Sequence, residues 1–194
     1  MLKSVILTVI TLAVALGGGA GSVWLVLDRG FEFDTIMVGS WSAFPSRGTP
    51  DADPYSKARF SREADLALGS GEGLVFVARR DADGEPLRME CDYRVEGGLP
   101  PARFWTLHAR APDGSVIAGD GNRTPALHSY ALLRRDDSTT VTTISRHPAP
   151  GNWLAVRGEG PFHLVLTFYD TAMASGARIA EIDLPTVQLA TCNG

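Results

Sequence analysis

Arg88-Met89-Glu90-Cys91-Asp92-Tyr93-Arg94-Val95 alternates charged and apolar side chains without a fault. In an extended chain successive side chains point to opposite faces. Met89, Cys91, Tyr93 and Val95 therefore share one face, and Arg88, Glu90, Asp92 and Arg94 share the other, a period of two that no helix would keep together. The stretch predicts a strand lying on a core with one side in water. Phe162, Leu164, Leu166 and Phe168 repeat the pattern.

Working outward, further strands are predicted over Leu74 to Arg79, Arg103 to Arg110, Tyr130 to Leu133, Thr140 to Ser145, Trp153 to Arg157 and Leu184 to Leu189. Asp83-Gly84 and Asp113-Gly114 punctuate them as turns. Eight or more short strands at this spacing predict a mainly β protein, an antiparallel β-sandwich of jelly-roll type. One short soluble helix precedes them. Asp53 is its cap, Pro54 its first residue and Gly69 its exit, with Tyr55, Ala58, Arg62 and Leu66 on one stripe.

The N-terminus differs in kind. Ser4 to Leu27 contains no charged side chain, with Lys3 before it and Asp28 and Arg29 after it. As a helix it would reach roughly 36 Å, enough to cross a hydrocarbon core of about 30 Å. A secretory signal is the competing reading, with Gly17-Gly18-Gly19-Ala20-Gly21 as the small-residue region. The apolar run resumes at Val23-Trp24-Leu25-Val26-Leu27, which a cleaved signal does not need, so an uncleaved transmembrane anchor is preferred. The short basic N-terminus places it inside, and the rest of the chain across the membrane. The division is a transmembrane anchor at 1–28, a stem at 29–52 that is rich in turn formers and holds a short strand at Phe33 to Val38, and a sandwich domain at 53–194.

With 22 acids against 18 bases the formal charge is −4, which argues against nucleic acid as a partner. The two cysteines, Cys91 and Cys192, would close a loop of about 100 residues if bridged, about 4 to 5 kcal/mol in the chain-entropy model; two unrelated thiols are the alternative. No Cys/His spacing points to a metal, and no motif implies a cofactor.

Leu99-Pro100-Pro101-Ala102-Arg103-Phe104-Trp105-Thr106-Leu107 is followed by Asp113-Gly114, Asn122-Arg123, Pro150-Gly151-Asn152-Trp153-Leu154, Gly160-Pro161-Phe162-His163-Leu164-Val165-Leu166 and Tyr169. The ordered series resembles the domain-of-unknown-function 1214 family over about residues 53 to 170. His108-Ala109-Arg110 departs from the family's usual continuation, and Asn122-Arg123 lacks its usual following aromatic. The resemblance implies a jelly-roll sandwich from bacterial envelope proteins, in which longer relatives carry a further sandwich domain. It carries over no reaction.

Of the four histidines, His108 stands with Arg110 on the polar face of a strand, and His163 sits opposite Phe162 and Leu164. None has ligand spacing with another, so strand-face histidines are the plainer reading. Asp81-x-Asp83-Gly84-Glu85 begins like a calcium loop but lacks its later ligands and reads as a hairpin turn. Asn152 and Trp153 mark a strand entrance, where a packed corner competes with a rim aromatic beside a pocket. His108, Arg110, Asn152 and Trp153 are the candidate ligand-binding set; no catalytic residue is assigned. The preferred function is a binding or assembly module on the periplasmic side of the bacterial inner membrane, tethered through residues 4–27 and partnered by another envelope protein of the same family group. The alternative is an envelope hydrolase, which requires His108 or His147 within reach of an acid and a nucleophile.

Overall fold

A computed structural model of the chain describes residues 2–29, 35–50, 52–63, 68–69, 71–117, 125–172, 179 and 182–192. The chain divides into two units, Met1–Phe33 with Pro50–Ala67, and Asp34–Thr49 with Leu68–Gly194.

The first unit is helical. α1 (Leu2–Arg29) exposes its apolar side chains, Leu7, Leu12 and Val14 among them. Its hydroxyls bond within the helix, Thr8 Oγ1 donating to the Ser4 carbonyl and Thr11 Oγ1 to that of Leu7, as a helix in hydrocarbon would need. Leu2–Leu25 is long and apolar enough to cross a membrane, a test that a signal sequence also passes. α2 (Pro54–Glu63) begins as its sequence predicts. One carboxylate oxygen of Asp53 accepts from the backbone N–H groups of Tyr55 and Ser56 at 2.9 and 3.1 Å. Hydrogen bonds from Ser56 hold that carboxyl below its usual range. The buried face differs from the predicted stripe. Ser56 and Phe60, one turn apart, are buried, while Tyr55 and Ala58 are exposed. The side chain of Arg62 and all of Leu66 lie outside the described residues.

The second unit is a sandwich of two sheets. Its strands are β1 (Ile36–Val38), β2 (Trp41–Ala43), β3 (Gly73–Ala78), β4 (Cys91–Gly97), β5 (Phe104–Arg110), β6 (Ala126–His128), β7 (Thr140–Ser145), β8 (Asn152–Ala155), β9 (His163–Tyr169) and β10 (Thr186–Cys192). One sheet has six strands in the order β1-β2-β3-β9-β5-β6, all antiparallel. The other has the order β10-β4-β7-β8, with β7 and β8 parallel. Among the described residues the two sheets hold six and four strands, with one parallel pair.

The alternating stretches become the inner faces. Cys91, Tyr93 and Val95 of β4 are buried, and so are Phe162, Leu164, Leu166 and Phe168, joining Trp105, Leu107, Ile144, Leu154 and Val187 in one core. The strand of β4 opens at Cys91 because the Cys91 N–H bonds back to the Arg88 carbonyl in a turn. Gly73 is required where it stands: a Cβ there would lie 2.1 Å from the Phe168 carbonyl oxygen on the neighbouring strand.

Part of the 29–52 segment joins the six-stranded sheet. Within it, β1 and β2 form a hairpin closed at Gly39 (φ 58°) and paired onto β3. Trp41, only 1% exposed, enters the core, and its indole N–H donates to the Pro185 carbonyl at 2.7 Å. β1 falls within the short strand predicted at Phe33 to Val38, whereas β2 is too short to display a period of two. The predicted strand at Tyr130 to Leu133 is absent; β6 lies earlier, and Tyr130 falls in the turn after it.

Candidate functional site

The alternation of β5 sends Trp105, Leu107 and Ala109 into the core and Phe104, Thr106, His108 and Arg110 to the outer face of the six-stranded sheet. Register then decides their company. On β9, Tyr169, Thr167, Val165 and His163 stand opposite Phe104, Thr106, His108 and Arg110. On β6, His128 stands opposite Thr106 and Ala126 opposite His108. His108 thus has apolar direct neighbours and a histidine on each diagonal, His128 to one side and His163 to the other. Burial lowers its pKa from the ordinary 6.5, and the charge of Arg110 adds to the effect, so the ring is held neutral.

No group of three His, Cys, Asp or Glu side chains with metal-binding geometry occurs among the described residues. The fourth histidine, His147, is exposed beyond β7 in the other sheet, its carbonyl accepting from Ser145 Oγ at 2.7 Å.

Asn152 and Trp153 lie on β8, in the four-stranded sheet. Asn152 shares the inner parity of Leu154 and is consumed by the backbone. Its amide nitrogen donates to the Leu133 and Val141 carbonyls at 2.8 and 2.9 Å, and its oxygen accepts the Leu133 N–H at 2.7 Å. One side chain thereby holds a passing loop as a strand neighbour would. Trp153, on the opposite parity, is 9% exposed, and its indole N–H donates to the Ser145 carbonyl and hydroxyl at 3.1 and 3.0 Å. His108 and Arg110 face outward from one sheet and Trp153 outward from the other, with a packed core between them. Sheets pack about 10 Å apart, so the four residues do not lie on one face.

Cys91 and Cys192 are register partners at the end of the β4–β10 pair, with their sulfurs bonded across a sequence separation of 101. The acidic turns are structural. Asp81 Oδ1 accepts the N–H groups of Asp83 and Glu85, and Asp113 Oδ1 accepts both the N–H and the hydroxyl of Ser115. Asn122-Arg123-Thr124 lies outside the described residues.

A cluster that sequence reading passes over sits at the start of β5. The Phe104 ring lies 5.7 Å from Tyr130 and close to parallel with it, at 28°. It also lies 5.7 Å from Tyr169 and 5.9 Å from His128. Tyr130 is 77% exposed, yet its hydroxyl donates to the Arg103 carbonyl at 3.3 Å. Arg103 in turn reaches Asp170 through Nη1–Oδ2 at 3.3 Å. The available signal was parity: Phe104, one residue before Trp105, belongs to the outer face.

The model of a protein family described as "Protein of unknown function (DUF1214)" matches residues 72–173. No curated protein matches the chain. Among solved structures, the VPA0106 protein from Vibrio parahaemolyticus is similar, with a TM-score of 0.61 and 17% identity over 92% of this chain. This chain spans only 44% of that one's length. An uncharacterised protein from Burkholderia cenocepacia aligns with a TM-score of 0.42 and 16% identity, over 91% of this chain and 50% of that one. At such identity the Vibrio likeness speaks for the fold alone.

Proposed function

This chain belongs to the DUF1214 family, and from that premise we propose that it is a binding or assembly module of the bacterial cell envelope. Residues 4–27 hold it in the inner membrane as a single span, with the sandwich on the periplasmic side. Lys3, the charge that precedes the span, stays inside.

The observation that carries this reading is the bond between Cys91 and Cys192, which fastens the final strand to the sheet. Such bridges persist in oxidising compartments and are rare in the cytosol. Binding is favoured over hydrolysis by the surroundings of His108. Its direct cross-strand neighbours are Val165 and Ala126, whereas a general base needs an orienting acid and a nucleophile in reach. The partner we favour is another envelope protein of the same family group.

Reporter fusions at Gly194 test the location. Alkaline phosphatase should be active and a cytosolic fluorescent reporter dark, with the protein retained in membranes through alkaline carbonate. The reverse pattern, or release by carbonate, removes the proposal.

A further inference from the structure

We propose that Tyr130, stacked on Phe104 and flanked by the Arg103–Asp170 pair, forms a binding site for a pyranoside ring of a glycan. The inference deepens the binding-module reading and rests on it.

An aromatic ring that is 77% exposed would ordinarily swing among rotamers. Tyr130 is instead fixed twice, by its stack on Phe104 at 5.7 Å and by its hydroxyl on the Arg103 carbonyl. Phe104 is fixed in its turn, on a strand paired to β9 with Tyr169 directly opposite. A ligand landing on the free face of Tyr130 meets a surface whose ordering cost is already met. That face is electron-rich, because the ring quadrupole puts negative charge above its plane. The carbon-bound hydrogens on one side of a pyranose present the complementary positive surface.

The polar flank decides the ligand class. Arg103 and Asp170 expose 79% and 70% of their side chains and touch each other at 3.3 Å. Their backbones are joined as well, Arg103 N–H to Asp170 carbonyl, and Asp170 N–H to Glu72 carbonyl. Asp170 holds a left-handed φ of 49°, a position sparsely used by residues other than glycine. Guanidinium only donates and carboxylate only accepts. The hydroxyls of a vicinal diol do both, so one sugar edge satisfies Arg103 and Asp170 together while its flat face covers Tyr130. A proline-rich peptide, the other frequent occupant of aromatic surfaces, offers mostly acceptors; it could engage Arg103 but would bring no donor of its own to Asp170.

The test uses the full chain in a detergent without a sugar headgroup. Titrations with chitotetraose, maltotetraose and a decaproline peptide are followed by calorimetry. Saturable binding of at least one oligosaccharide is expected, weakened about tenfold or more by Tyr130→Ala and clearly by Asp170→Asn. Tyr55→Ala, which removes an exposed aromatic of α2, should change nothing. Thermal melts of each variant check the fold, and Asp170→Asn keeps the test open if Tyr130→Ala disturbs Phe104. Absence of oligosaccharide binding at 10 mM, binding of decaproline alone, or sugar binding indifferent to both variants overturns the proposal. In the last case a glycan-binding module would remain, with its site elsewhere; the reporter pattern at Gly194 is independent of all these results.

Discussion

Trp153 and Tyr130 make an instructive pair. Trp153 stands out in the sequence after Pro-Gly-Asn, yet it is 9% exposed and its indole N–H is fully engaged by Ser145. Tyr130 attracts no notice and is 77% exposed, a ring held in the open by Phe104 and Arg103. The difference lies in the supporting backbone. Trp153 belongs to β8, a strand whose four residues are all buried. Tyr130 belongs to the turn after a three-residue strand, where the fold displays a ring without burying it. Aromatic residues are thus sorted into those the structure consumes and those it presents, and substitutions should separate the two classes.

Trp41 is the extreme consumed ring, and Trp41→Ala should cost about 3–5 kcal/mol by loss of burial and of the bond to Pro185. Denaturant unfolding of the isolated sandwich variants would read it, and a cost below about 1 kcal/mol would return residues 29–52 to the role of a loose stem. Replacing both Cys91 and Cys192 with alanine should lower stability by about 2–5 kcal/mol, measurable as a lower denaturant midpoint. Asn152→Ala should cost about 1–3 kcal/mol, because it strands the Leu133 and Val141 backbone groups that the amide satisfies. Asn152→Asp should share the loss, since a carboxylate cannot donate to those two carbonyls.

Smaller effects follow on the outer face. The His108 pKa is lowered in the fold, so the unfolded chain binds more protons below the ordinary value of 6.5. Its contribution is complete above that value and is lost as pH falls from there toward the folded pKa. Melting temperature should therefore decline below about pH 6.5, and less steeply in His108→Gln. Equal slopes would show that Arg110 and burial do not govern that ring. At the bottom of the scale, Tyr130→Ser should alter stability by less than about 1 kcal/mol, in contrast with Trp41. A large loss would move Tyr130 into the consumed class.

What sequence could disclose depended on the range of the physics involved. The alternation around Cys91-Asp92-Tyr93-Arg94-Val95 and along Phe162 to Phe168 is local, and the structure buries those apolar positions. The cap at Asp53 is local too, a carboxylate within three residues of the N–H groups it accepts. β2 is too short for periodicity to show. The meeting of His108, His128 and His163 is non-local, created by the register of β5 against β6 and β9. Asn152 looked available because nothing nearby in sequence competes for its amide; its partners Leu133 and Val141 are 19 and 11 residues away.

The redox state of Cys91 and Cys192 in intact cells tests the placement of this domain most directly. Cells quenched in acid and labelled with a polyethylene-glycol maleimide should show no mobility shift before reduction and two adducts after it, in protein recovered from the membrane pellet. Two adducts without prior reduction would mean that the sandwich folds in a reducing compartment, and a tethered module facing an oxidising space would be the wrong description of this chain.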